Sequence, residues 1–162
     1  MKTNDQATAF FKTPLGIAQI TGDENGISII SITDEGKISA EIPAVLKEAV
    51  SQFHDYFDGK RTNFSFKLNP KGTEFQQKVW QALLEIPFGK TCSYMDLSKK
   101  LGDIKAIRAV ASANGKNPLW IAVPCHRVIG TDGSLTGYAG GLWRKKWLLE
   151  HENPSRKQEL LF

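Results

Sequence analysis

The sequence predicts an α+β chain within the broad α/β class, with a small β-rich domain at residues 1–68 and a mainly helical domain at residues 69–162. Three observations carry that prediction. Apolar residues alternate with polar ones over three early stretches, they recur every three or four residues from Pro43, and helix start signals crowd the chain after Asn69-Pro70-Lys71-Gly72.

Residues 9–13, 16–21 and 26–32 alternate with period two and are separated by Pro14 and by Asp23-Glu24-Asn25, which reads as a three-stranded meander. From Pro43, Leu46, Val50, Phe53 and Phe57 fall at helical spacing until Gly59, and residues 63–68 read as one more strand. His54 belongs to the outer surface of that helix. The Asn69-Pro70-Lys71-Gly72 run has the composition of a turn or linker.

Thr73-Glu74-Phe75-Gln76 matches a capping box, followed by an apolar stripe of Phe75, Val79, Leu83 and Ile86 that stops at Pro87-Phe88-Gly89. Ser93-Tyr94-Met95-Asp96 starts a second helix, with Leu97 and Leu101 turned inward and Gly102 as its C-terminal cap. Asp103 caps a third, which runs to about Asn114. Two short helices joined by a tight glycine-containing turn outline a helix-turn-helix. At 100° per residue the third helix gathers Ile104, Ile107, Val110 and Ala111 on one side and Lys105, Arg108, Ala109 and Ser112 on the other. Such a small, basic face suits a duplex groove, with Arg108 long enough to enter a base stack, and equally describes an alanine-rich surface helix. Trp143 and Trp147 are expected to anchor the last helix to the core.

The formal charge of +4 is unevenly spread. Seven Lys and Arg stand against nine Asp and Glu in residues 1–68, a formal −2, and 14 stand against eight in residues 69–162, a formal +6. A cationic second half fits a polyanionic partner and also fits an ordinary surface of solvated lysines. The two cysteines support neither a disulfide scaffold nor a zinc cluster, and they point to a reducing, cytoplasmic location. Residues 1–8 carry no apolar signal core, and no apolar run approaches the roughly 20 residues that a bilayer span needs, so no membrane is expected.

One cysteine stands in Val123-Pro124-Cys125-His126-Arg127-Val128. A thiol attacks carbon only as thiolate, and a neighbouring imidazole, guanidinium or oriented N–H lowers its pKa from about 8.5. The hexapeptide offers candidates for each. A cysteine in an apolar stretch is also the ordinary pattern of a small buried hydrophobe. Cys92 has no such neighbours and is read as packing, and Trp120 either shapes a pocket wall or packs.

Gly72-Thr73-Glu74-Phe75-Gln76, Ser93-Tyr94, Arg108-Ala109-Val110, Asn117-Pro118, Pro124-Cys125-His126-Arg127-Val128, Gly137-Tyr138-Ala139-Gly140-Gly141 and Trp147-Leu148-Leu149-Glu150-His151-Glu152 come in one order. Together they closely resemble the O6-alkylguanine-DNA alkyltransferase family over residues 72–152. The resemblance implies a ribonuclease-H-like accessory domain, then a domain with a winged-helix-like helix-turn-helix. It implies a DNA repair transferase that binds the minor groove and flips out O6-alkylguanine, and O4-alkylthymine where accepted. The alkyl group would move irreversibly to Cys125. His126 would be the base acting through a water and Glu152 would orient it.

The same resemblance makes Tyr94 the residue that helps turn the nucleotide out and donates to guanine N3, and Arg108 the one that fills the gap. It makes the Ala139 N–H a donor near O6, the carbonyls of Cys125 and Val128 acceptors for the exocyclic amine, and Asn117 the fastener of the cysteine turn. Ser93, Ala109 and Tyr138 join the substrate and DNA surface. The expected partner is double-stranded DNA carrying O6-alkylguanine, met by a monomer with no obligate protein partner, no metal and no cofactor. Two other readings are a non-catalytic alkyltransferase-like lesion binder, in which the cysteine is commonly replaced, and a cysteine hydrolase.

Overall fold

The structure, a computed structural model, describes residues 6–155, so the first five and last seven residues of the two predicted domains lie outside the described residues. The chain forms two compact units, Met1–Lys71 and Gly72–Phe162.

In the first unit, strands β1 (Ala7–Thr13), β2 (Gly16–Asp23) and β3 (Gly26–Thr33) form an antiparallel meander in the order β1-β2-β3. Alternation puts Ala9, Phe11, Ala18, Ile20, Ile30 and Ile32 inside. Gly22 marks the β2/β3 register shift, where a Cβ would sit 2.6 Å from the Gly26 carbonyl oxygen. A 3₁₀ turn (Ala44–Leu46) leads into α1 (Lys47–Phe57), which buries Val50, Phe53 and Tyr56. His54 is exposed, as expected.

Residues 63–68 do not form the expected strand. Their one ladder contact is the bridge between Ile27 and Leu68. Two side-chain demands explain the departure: the Ser65 N–H donates to Gln52 Oε1 at 2.8 Å, and Phe64 and Phe66 both pack on Phe53, at 4.7 and 5.8 Å between ring centroids. A backbone donor spent on a side chain is lost to a ladder.

The second unit begins with α2 (Glu74–Leu83), whose capping box is formed in full: the Gln76 N–H donates to Thr73 Oγ1 at 3.1 Å and the Thr73 N–H donates to Gln76 Oε1 at 2.9 Å. Its inner face is Val79, Trp80, Ala82 and Leu83, and Phe75, expected inside, is 39% exposed. Next come β4 (Cys92–Ser93), α3 (Tyr94–Lys100) capped by Ser93, and α4 (Ile107–Gly115) after a 3₁₀ turn (Ile104–Ala106) capped by Asp103. Helices α3 and α4 are the helix-turn-helix, and Trp80 Nε1 donates to the Ala113 carbonyl at 2.9 Å, tying α2 to the end of α4.

The 3₁₀ turn Cys125–Arg127 runs into β5 (Val128–Ile129), which pairs in parallel with β4. Helix α5 (Leu142–Glu152) closes the unit. It buries Arg144, Lys145, Leu148, Leu149 and Glu152 and leaves Trp143 51% exposed, with Trp147 half-buried and stacked on His151. The two tryptophans are therefore not its core anchors. Leu148 and Leu149, with Lys145 one turn before Leu149, take that place.

Candidate active site

The approach to Cys125 is an unusual stretch of backbone. Ile121 has φ 73°, and the Ala122 N–H donates to the Trp120 carbonyl at 2.8 Å. A β-branched residue in that region is strained, by about 1–3 kcal/mol. Pro124, at φ −81° and ψ 63°, makes a second tight turn closed by the Cys125 N–H donating to the Val123 carbonyl at 2.8 Å. Asn117 holds the loop from inside: its Nδ2 donates to the carbonyls of Val123 at 2.8 Å and Leu119 at 3.3 Å, while its Oδ1 accepts from the Leu119 N–H at 2.9 Å. The strained turn ends with Cys125 lining a cavity of about 550 Å³.

Tyr94, Arg108, Asn117, Tyr138 and Ala139 line the same cavity, with Trp120, Asn114 and Thr136. Tyr94 comes from the first turn of α3 and Arg108 from α4, so the two helices of the helix-turn-helix contribute one wall. Trp120 and Tyr138 lean together at 5.7 Å between ring centroids, so Trp120 does shape the wall. Ile107 and Ala111, expected inside, line the cavity as well, and Ile104 is 46% exposed. Arg108, Ala109, Lys105 and Ser112 face outward, as the helical phase requires. Ser93 is half-buried at the start of α3. Val128 is buried, and its N–H donates to the Cys125 carbonyl.

His126 and Glu152 sit behind this surface, both buried, and His126 Nε2 is 2.8 Å from Glu152 Oε2. Beside a carboxylate, Nε2 carries the proton, which leaves Nδ1 as the basic nitrogen. That Nδ1 is buried with no hydrogen-bond partner among the described residues. Arg127 forks onto the same carboxylate, with Nε 2.7 Å from Oε1 and Nη2 3.0 Å from Oε2, and its Nη1 donates to the Ile86 carbonyl at 2.7 Å. Burial alone would raise the Glu152 pKa, and the contact with His126 and the fork of the Arg127 guanidinium override it and hold the carboxyl well below the usual carboxylate range.

The Cys125 thiol behaves differently from the expectation that its neighbours would lower it. Burial pushes it up to about 11, and Asn117 and the Lys145 ammonium offset only part of that. The reason lies in direction: Arg127 and His126 Nε2 are both spent on Glu152. Lys145 in α5 is fully buried, its Nζ donating to the Thr136 carbonyl at 2.7 Å, and burial lowers its pKa to about 8. Burial raises Tyr94 and raises Tyr138 well above the usual phenol value. Among the described residues no group of three or more His, Cys, Asp or Glu side chains could hold a metal ion.

Residues 74–154 match the family described as 6-O-methylguanine DNA methyltransferase, DNA binding domain, and residues 7–70 match the ribonuclease-like domain of the same family. A methylated-DNA--protein-cysteine methyltransferase of Methanosarcina acetivorans is 46% identical over 151 residues, covering 89% of this chain and 96% of that protein. This chain belongs to the 6-O-methylguanine DNA methyltransferase family. The constitutive methylated-DNA--protein-cysteine methyltransferase of Bacillus subtilis is 44% identical over 159 residues, 91% of this chain and 96% of that one. The crystal structure of the Mycobacterium tuberculosis O6-methylguanine methyltransferase superposes with a TM-score of 0.83 at 39% identity, covering 93% and 94% of the two chains. A structure of the same organism's protein in complex with DNA gives 0.83 at 41% identity, with 91% and 93% covered.

For this member of the 6-O-methylguanine DNA methyltransferase family, the structure adds residues that motif reading passed over. In sequence Arg127 is only a neighbour of the thiol; in the structure it is the fork that holds Glu152. Lys145 gave a usable signal, since it falls four residues before Leu149 on the buried face of α5. Asn114 and Thr136 gave none, because only the fold brings them to the cavity.

Proposed function

We propose that this chain repairs DNA by taking the alkyl group from O6 of an alkylguanine in duplex DNA and keeping it on the Cys125 sulfur, once per molecule. The observation that carries this reading is the Cys125 side chain lining the cavity, with adjoining His126 hydrogen-bonded to Glu152. The relatives' printed name, with a protein cysteine as acceptor, supports it.

The exposed face of α4 enters the minor groove, with Ala109 allowing close approach and Ser93 contacting the DNA near the start of α3. The lesion leaves the stack at a cost of a few kcal/mol, Tyr94 helps turn it out, and Arg108 fills the gap. The carbonyls of Cys125, in the cavity wall, and of Val128, just beyond it, accept from the exocyclic amine, and Tyr138 forms part of the wall.

Sulfur attacks the alkyl carbon in line with the bond to O6. The C–S bond forms as the C–O6 bond breaks, and the electron pair leaves with guanine. The thiol proton passes through a water to His126 Nδ1, and Glu152 stabilises the resulting imidazolium. Tyr94 Oη at N3 and the Ala139 N–H at O6 steady the charge that develops on the base. A thiol held up near 11 stays protonated in the resting chain, so it is deprotonated when a base occupies the cavity. The product is a thioether, which water does not cleave as it cleaves a thioester, so the molecule is spent. We place this activity in a cytoplasmic monomer, in keeping with two free cysteines and with the finding that among the described residues no helix is long and apolar enough to cross a membrane.

Incubation with a duplex containing O6-methylguanine, read by mass spectrometry, is expected to add one methyl group per chain, on Cys125. Unmodified protein that binds the lesion would instead mark a non-catalytic lesion binder, and many turnovers per chain would mark a hydrolase.

A further inference from the structure

Arg127 follows the thiol and the imidazole directly in sequence, yet its guanidinium is buried on Glu152. Glu152 Oε2 accepts from Arg127 Nη2 at 3.0 Å and from His126 Nε2 at 2.8 Å, and Oε1 accepts from Arg127 Nε at 2.7 Å. The turn after α2 holds the same guanidinium: the Ile86 carbonyl accepts from Nη1 at 2.7 Å, and the guanidinium carbon lies 5.8 Å from the centre of the Phe88 ring. That turn is tied in its own right to the end of α5, where Asn153 Nδ2 donates to the Gly89 carbonyl at 3.2 Å. Arg127 is thus fixed on the carboxylate that His126 uses, by a carbonyl and a ring that do not titrate.

A buried carboxylate with an imidazole as its one cationic partner favours the doubly protonated ring, because the resulting ion pair cancels its charge. A ring that already carries two protons cannot take one from a thiol. Arg127 changes that count. A guanidinium stays charged, so with Glu152 it already sums to zero, and a proton on His126 Nδ1 would leave a net positive charge out of contact with water. The ionisable groups nearby supply no second anion: burial keeps the Cys125 thiol and the Tyr138 phenol protonated, Lys145 is turned to the Thr136 and Gly137 carbonyls, and Arg144 to that of Gly140. The hydrogen bonding agrees with the charge count. His126 Nδ1 has no acceptor beside it among the described residues, so an N–H there would be a buried donor left bare.

We propose that Arg127 is a positioning residue that reserves His126 as an uncharged base, neutralising Glu152 so that Nδ1 stays bare in the resting chain and is open to the thiol proton. The imidazolium then forms only together with an anion, the thiolate and afterwards the departing base, whose charge offsets it. The use of that proton rests on the transfer reading above. The state of the ring is a property of the chain without DNA.

The test reads the ring directly, by ¹H–¹⁵N correlation of the full chain labelled in histidine, with His54→Gln and His151→Gln to assign the signals. At pH 7 the wild-type His126 is expected to show a neutral ring protonated at Nε2, Arg127→Gln an imidazolium, and Arg127→Lys, which keeps the charge, the neutral ring again. The single-turnover rate of methyl transfer at pH 7 is expected to fall roughly tenfold to a hundredfold in Arg127→Gln. Its ratio to wild type should recover as pH rises and the ring loses its extra proton, a pH dependence that a merely structural role would not give. An imidazolium in the wild-type chain at pH 7 overturns the proposal, whether or not Arg127→Gln folds. So does a neutral ring in Arg127→Gln, or a rate deficit that stays constant with pH. A wild-type chain with the expected ring that accepts no methyl group overturns the functional reading instead.

Discussion

Cys125 is where burial and charge pull hardest against each other. Burial raises the thiol, and the His126 ring and the Arg127 guanidinium beside it in sequence are turned to Glu152. Below its pKa a thiol gains tenfold in thiolate per pH unit, so alkylation of Cys125 by iodoacetamide in a Cys92→Ser chain is expected to climb through pH 7–10 without a plateau. A plateau near neutral pH would mean a preformed thiolate. Glu152 carries the opposite lesson. Its carboxyl is depressed, so the stability it contributes is present above the unfolded value of about 4.3 and is lost as pH falls below it. Glu152→Gln leaves the Arg127 guanidinium and His126 buried with a poorer partner, and urea titration is expected to show a loss of about 3–5 kcal/mol at pH 7 that narrows in acid. An unchanged midpoint would refute the role of the fork.

Elements place these residues by ordinary local rules. The Thr73 and Gln76 capping box starts α2, and α2 in turn supplies Trp80, which fixes the end of α4 next to Asn114. Thr73→Ala is expected to cost about 1 kcal/mol by chemical denaturation while leaving the transfer rate intact, since nothing from the α2 cap lines the cavity. A rate loss as large as the stability loss would show that α2 and the site are coupled more tightly than packing suggests. The failures of pattern reading are equally local. Residues 63–68 alternate like a strand, but Gln52 takes the Ser65 N–H and the phenylalanines fold back on Phe53. Trp143 and Trp147 are large enough to anchor α5, but Leu148, Leu149 and Lys145 occupy its buried face.

For the molecule as a whole, the excess of positive charge in residues 69–162 is expected to govern how DNA is met. Binding that releases counterions weakens linearly in log salt, with a slope near −0.9 for each phosphate neutralised. Undamaged duplex should therefore bind with a steep negative slope, and Arg108→Ala should change lesion capture more than that slope, because its proposed place is in the stack. Fluorescence anisotropy over a salt series checks both, and a flat slope would argue against an electrostatic approach.

The sequence by itself determined the family, the α+β class, the meander, the helix-turn-helix and the Pro-Cys-His-Arg run, because these depend on periodicity, caps and short motifs that act within a few residues. Tertiary structure alone decided that Arg127 turns to a carboxylate 25 residues away, that a fully buried lysine ties down the 136–137 loop, and that Asn114 is buried in the cavity lining. Direction and burial set those outcomes, and both depend on which distant groups the folded chain brings within a few ångströms of one another.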